Sequence, residues 1–160
     1  MKAMRRADKL KDPLWALEVF DKAPYVTVSM TRPDGTPYSV PLSLVRKDDV
    51  TFYFHCADEG EKLDCIKMHP VVSLSAVSKC SPTFEADKQI FTEHYHSATA
   101  IGTATVVTDK AEKIEALRLV CLRFLPGYME NFDIAISRSL DRTTVVKITL
   151  TEPPVGKCKP

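Results

Sequence analysis

Glycine is scarce in this chain: five residues, at positions 35, 60, 102, 127 and 156, stand against eleven prolines. No two are close enough to write a G-x-G-x-x-G fingerprint or a Walker A loop, so Rossmann and P-loop readings are excluded. Charge of one sign is lacking as well, since 22 Lys+Arg meet 21 Asp+Glu for a net charge of +1. That balance removes the broad basic footprint of a nucleic-acid or polybasic membrane binder. Cysteine is present without a pattern. Cys56, Cys65, Cys80, Cys121 and Cys158 are odd in number, widely spaced and free of any C-x-x-C pair, unlike a disulfide framework or a zinc ribbon, and reduced thiols are expected. No run of about eighteen apolar residues could span a membrane, and none follows the basic Lys2, Arg5 and Arg6 as in a signal peptide. The expectation is a cytoplasmic protein with small-molecule chemistry, with neither nucleic acid nor membrane as a partner.

What is present is 160 residues, 44% of them hydrophobic, enough for a single domain over 1–160 with a core that needs no disulfide. Asp12-Pro13 opens a helical pattern, an N-cap followed by proline at the first helical position, which should end before Pro24. Val26, Val28 and Met30 then alternate with polar residues, Pro33-Asp34-Gly35 turns the chain, and Tyr38, Val40, Leu42 and Leu44 alternate again. A turn at Lys47-Asp48-Asp49 leads to Val50, Phe52 and Phe54, and the three strands are expected to form a meander ending at His55. Asp58 to His69 reads as a short helix stopped by Pro70. Val72 to Ala76 is a fourth strand, 79–89 reads as irregular with Pro82 in its middle, and a long strand follows from Thr92 to Val107. Asp109 with Glu112 resembles a capping box ahead of the stripe Ile114, Leu117, Cys121 and Phe124. A poorly patterned segment precedes the last strand, Thr144 to Leu150, and a proline-rich tail. Hairpins with few crossovers favour an antiparallel barrel decorated with helices, a mainly β fold.

Three places could carry chemistry. In the connection from Phe54 to Asp64, free N–H groups at a helix start beside Gly60, together with Lys62, make a compact phosphate site; the alternative is a turn glycine and a solvated lysine among Asp58, Glu59 and Glu61. His55 and Cys56 are adjacent, so they point to opposite faces of a strand and cannot act together as nucleophile and base without a bend. His94 and His96 share a face but are two ligands short of a metal site, and no metal is expected. On the long strand Tyr95, Ser97, Thr99 and Ile101 share one face, which could line a ligand groove or simply be the exposed side of a barrel.

The stretches T-P-Y-S-V-P-L-S (36–43), Y-F-H-C-A-D-E-G-E-K-L-D (53–64), H-P-V-V-S-L (69–74), Y-H-S-A-T-A-I-G-T-A (95–104) and V-V-K-I-T-L (145–150), in that order, resemble the flavin-binding split-barrel superfamily related to pyridoxamine 5′-phosphate oxidase. Within it, the chain is most similar to the nitroimidazole-resistance, nitroimidazole-reductase branch. The resemblance runs from about Met4 to Lys157. It implies a six-stranded antiparallel split barrel assembled as a homodimer, with two FMN sites between the subunits. By position, Lys62 would contact the FMN phosphate with help from the helix start at Gly60. His55, Cys56 and Ala57, with Tyr38, Val40 and Leu42, would hold the ribityl chain and one side of the ring. Ser97 and Thr99 would reach the flavin bound mainly by the other subunit, and His55 would serve catalysis on the substrate side.

Two departures matter. Relatives commonly read Y-R-S where this chain has Tyr95-His96-Ser97, and the late Trp and Arg positions that recognise pyridoxamine phosphate have no counterpart. The resemblance therefore implies an FMN-dependent oxidoreductase that takes hydride from NAD(P)H or another donor and passes it to a flat electrophile such as a 5-nitroimidazole, rather than an oxidase of pyridoxamine phosphate. The alternative is a flavin- or haem-binding module without turnover, since split barrels host several ligands.

Overall fold

The structure, a computed structural model, describes residues 6–160. In chain order its regular elements are β1 (Leu10–Lys11), α1 (Pro13–Lys22), β2 (Val26–Thr31), β3 (Pro37–Leu42), β4 (Val45–Arg46), β5 (Thr51–Ala57), α2 (Glu61–Met68), β6 (Val71–Glu85), β7 (Ile90–Val106), α3 (Lys110–Phe124), α4 (Phe132–Ser139), β8 (Thr143–Leu150) and β9 (Val155–Lys159), with short 3-10 turns between some of them. The helix signals work as read. Asp12 accepts from the Trp15 amide at 2.9 Å and Asp109 from the Glu112 amide at 2.7 Å, so each caps its helix through the third residue.

One antiparallel sheet runs β3-β2-β6-β7-β8-β5-β4, and β9 joins it by pairing with β7 on one side and β1 on the other. β7 is the hub. Along Tyr95–Thr99 it pairs with β9, whereas along Gly102–Val106 it pairs with β8, so one strand serves two halves of the barrel. Its inward row is small: Ala98, Ala100 and Ala104 are buried. At Gly102 a Cβ would stand 2.7 Å from Ile148 Cγ2 and 2.8 Å from the Thr149 carbonyl oxygen, so glycine lets the two backbones approach.

Two cores result. The barrel interior is filled from β2, β5, β6, β7 and β8 and plugged by Ala16, Leu17, Val19 and Phe20 of α1; Phe20 and Phe52 meet edge to face at 5.5 Å. A second core, with Tyr53, Ala116, Leu117, Val120, Phe132 and Val145, lies where α3 and α4 cover the outer face of β5 and β8.

Six long strands stand where the periods place them, but the pairing differs from the sequence expectation. β2 and β3 form the expected hairpin; the third strand, β5, does not continue a meander, because it pairs with β4 and β8. The cause is a kink after β3, where the Leu44 amide bonds back to Leu42 O at 3.1 Å and the chain crosses to the opposite end of the sheet. The second correction concerns 79–89. After a bulge between Val77 and Lys79, β6 runs on to Glu85, paired residue by residue with β7. Pro82 is tolerated because this arm of the hairpin has no strand on its other edge, where a missing N–H costs no ladder bond. The helix expected from Asp58 begins at Glu61, the poorly patterned segment contains α4, and the proline-rich tail supplies β9.

Candidate functional site

The turn Arg32–Thr36 brings β3 back along β2, placing Tyr38, Val40 and Leu42 opposite Met30, Val28 and Val26 and hence facing the barrel interior. All three are half-buried and pack on the rim of the core beside Cys56 and Leu63. Alternation along β5 sets Cys56 on the same inward face as Phe52 and Phe54.

Beyond β5 the chain turns at Gly60, whose φ of 129° is open to glycine and strained for any side chain. Gly60 is the N-cap of α2 and offers no side-chain cap. The Leu63 amide returns to Gly60 O at 2.9 Å, and the Glu61 and Lys62 amides ahead of it have no intrahelical acceptor. Lys62 is half-buried there and its charge is felt at Cys56: burial pushes the thiol up from its ordinary value, and the Lys62 ammonium opposes that rise.

Arg32 fastens β3 to α2. Its guanidinium donates to Glu61 Oε1 at 2.5 Å and to Pro37 O at 2.8 Å, and lies 5.1 Å over the Tyr38 ring. The Glu61 partnership raises the guanidinium pKa further. Sequence reasoning missed both Arg32 and Leu63. Leu63 sat in the quoted 53–64 stretch, but Arg32 meets α2 across 29 residues, a contact no local pattern encodes.

The structure thus gathers Tyr38, Val40, Leu42, Cys56, Gly60 and Lys62 along one mouth of the barrel. It does not bring the other candidates to the same face. His55 is exposed on the reverse side of β5, where the neighbouring positions are Tyr53 and its cross-strand partner Val145. Ala57 shares that reverse face. Ser97 and Thr99 lie on the outer face of β7, with Val77 and Ser75 across on β6 and Lys157 and Val155 across on β9. Of the remaining histidines on β7, His94 faces Glu85 and the Pro160 carbonyl, and His96 meets the Trp15 ring edge to face at 5.2 Å.

Two hollows flank α2. One of about 410 Å³ is lined by Leu63, Ile66, Lys67 and the end of β7, and one of about 480 Å³ by Pro33, Glu61, Asp64, Lys67 and Met68. Neither is lined by Lys62 or Cys56. Among the described residues no helix is long and apolar enough to cross a membrane.

An antiparallel sheet whose central strand divides between two halves, with helices at its mouth and flank, is a split barrel. The family model described as pyridoxamine 5′-phosphate oxidase matches residues 15–155, and the chain belongs to that family. No curated protein matches the sequence. Among solved structures, it is similar to a candidate 5-nitroimidazole antibiotic resistance protein from Bacteroides thetaiotaomicron (TM-score 0.77, 18% identity, 93% of this chain and 85% of that one). It is also similar to the flavocytochrome Anf3 from Azotobacter vinelandii (TM-score 0.81, 19% identity, 99% and 72%). A third is the FAD and heme binding protein from Mycobacterium smegmatis (TM-score 0.78, 20% identity, 94% and 73%).

Proposed function

We propose that this protein is a homodimeric FMN-binding oxidoreductase that reduces a small electrophile such as a 5-nitroimidazole. The observation that carries the reading is the barrel mouth itself: a half-buried apolar rim of Tyr38, Val40, Leu42 and Cys56 ends at Lys62 and the uncapped amides of α2. An apolar wall running into a cation and free N–H groups is the donor set that a flat ring carrying a phosphate requires. These residues fit a flavin mononucleotide. FMN is chosen over FAD because the helix start offers a single lysine, suited to a terminal phosphate rather than a pyrophosphate bridge.

Family membership and relatives described as flavocytochrome or FAD-binding support the flavin part of the reading. The dimer is supported by a separation of faces. Ser97 and Thr99 stand on the outer side of the sheet whose inner side carries Tyr38, Val40 and Leu42, so one chain cannot wrap both groups around one small molecule. A second copy presenting its outer face to this mouth would complete the site.

When bound, the flavin supplies hydride transfer between a donor such as NAD(P)H and the substrate. The chain's own residues hold and orient: Lys62 and the α2 amides hold the phosphate, the rim excludes water from one side of the ring, and His55 handles a proton on the substrate side. His55 is on the reverse face of its own β5, so it would enter the site beside the end of the strand rather than through the mouth.

Visible absorbance of the purified protein, followed by FMN titration, tests the reading; no flavin spectrum and no binding of added FMN would sink it. NAD(P)H oxidation with a panel of nitroaromatics then separates reductase from module. Turnover is expected, whereas tight FMN binding without reduction, or a haem Soret band in its place, would favour the non-catalytic flavin- or haem-binding module.

A further inference from the structure

Acids crowd the start of α2: Asp58 and Glu59 precede the Gly60 turn, and Glu61 and Asp64 lie in the first helical turn beside Lys62. A helix dipole draws carboxylates to such a place, and the two longer helices each use one. Asp12 on α1 and Asp109 on α3 accept from a first-turn amide at 2.9 and 2.7 Å. The α2 start is different: its N-cap is Gly60, and no side chain caps it. Glu61, the first residue of the helix, is turned to Arg32 instead. Arg32 Nε donates to Glu61 Oε1 at 2.5 Å across 29 residues of sequence. Two contacts with β3 fix the guanidinium that Glu61 meets: Nη1 donates to Pro37 O at 2.8 Å, and the group lies 5.1 Å over the Tyr38 ring. With side chains 35% and 48% exposed, the pair contributes little to stability. Its consequence is local. One negative charge is balanced, and the carboxylate closest in sequence to the free Glu61 and Lys62 amides is held away from them.

We propose that Arg32 is a positioning residue that lets the α2 start accept a phosphate dianion: it holds the Glu61 carboxylate aside and cancels the charge that would repel the ligand. The inference rests on the flavin reading above, within a single subunit. Arg32 acts through Glu61 and not on the ligand, since Nε and Nη1 are engaged by Glu61 and Pro37 and the guanidinium plane by Tyr38. Released from Arg32, Glu61 is a first-turn carboxylate that the helix dipole draws to the same amides the phosphate needs. A flavin without a phosphate does not meet that competition.

Dissociation constants for FMN and riboflavin, read from flavin fluorescence, test this in the parent, Arg32→Met, Glu61→Gln and the double variant. Arg32→Met is expected to weaken FMN about tenfold and riboflavin less than about twofold. Glu61→Gln should tighten FMN, because it removes the competing carboxylate. In that Glu61→Gln background, adding Arg32→Met should cost less than about twofold, since the acid that Arg32 restrains is gone. Arg32→Lys, which keeps a cation for Glu61, should bind FMN closer to the parent than Arg32→Met does, and it serves in place of Arg32→Met if that variant does not fold by its thermal midpoint. Three results overturn the proposal while the flavin reading stands. The same tenfold loss in both backgrounds means that Arg32 meets the phosphate directly. A loss on Glu61→Gln as large as on Arg32→Met, or equal losses of FMN and riboflavin, means that the pair only clamps β3 to α2. If the parent binds no flavin, the functional reading fails and this one with it.

Discussion

His55 and Cys56 are neighbours in sequence that belong to different sides of the protein. His55 shares its face of β5 with Tyr53 and Val145 beside the helical core, while Cys56 shares the other with Phe54 and the barrel interior. A rim position and a solvent position are therefore set by one step of β alternation.

Because His55 is exposed and no hydrogen bond or ion pair of its side chain is present among the described residues, His55→Ala should leave the unfolding free energy within about 0.5 kcal/mol of the parent's. Reduction of a nitro substrate should fall while FMN binding is retained. A variant that melts early would show a structural role instead.

Replacing Lys62 by Ala should weaken FMN about tenfold or more and riboflavin far less, since only FMN presents the phosphate. Equal loss for the two ligands would remove the phosphate assignment.

Arg123 on α3 donates to Leu44 O at 2.5 Å and, through Nη2, to Phe20 O, Asp21 O and Ala23 O at 2.8, 2.9 and 2.9 Å, clasping the end of α1 and the kink after β3. Burial lowers its pKa from the ordinary value, the cost of holding the guanidinium there. Arg123→Met should cost about 2–3 kcal/mol in urea unfolding, the worth of lost hydrogen bonds from a charged donor. Arg123→Lys should recover little, because one ammonium cannot reproduce the planar fork.

A Cβ at Gly156 would stand 2.7 Å from Cε3 of Trp15, the chain's one tryptophan, and 3.1 Å from Lys11 Cβ. Gly156→Ala should destabilise by about 1–3 kcal/mol through overpacking and shift the Trp15 emission maximum. An unchanged spectrum and midpoint would mean that α1 yields freely against β9.

Glu112 accepts from Tyr53 Oη at 2.7 Å and from Lys147 Nζ at 2.9 Å. The two partners, Lys147 first, hold its carboxyl below the ordinary carboxylate value. The native carboxyl binds its proton less tightly than the unfolded one, so the stabilisation is complete above the unfolded pKa and is lost as pH falls through the lower folded value. Glu112→Gln should flatten the acid limb of the stability profile; a limb as steep as the parent's would place the acid sensitivity elsewhere.

Local chemistry was legible from residue order alone. Asp12-Pro13 and Asp109 with Glu112 mark helix starts because a side chain and an amide three residues apart close a short ring. Alternation located β2, β3, β5, β7 and β8 because the strand period is two. The Phe54–Asp64 connection put a cation and free amides side by side because both come from one turn of chain at the start of α2. Which strands pair was decided by tertiary structure. The kink at Leu44, fastened by Arg123 from 79 residues away, sends β5 to β8 instead of β3. Pro82 disguised the hairpin arm, since a proline rule cannot know which edge of a strand is open. Arg32 on Glu61 and Lys157 beside Ser97 are likewise products of the folded chain: each joins residues far apart in sequence, and such pairs exist only once the sheet has set its register.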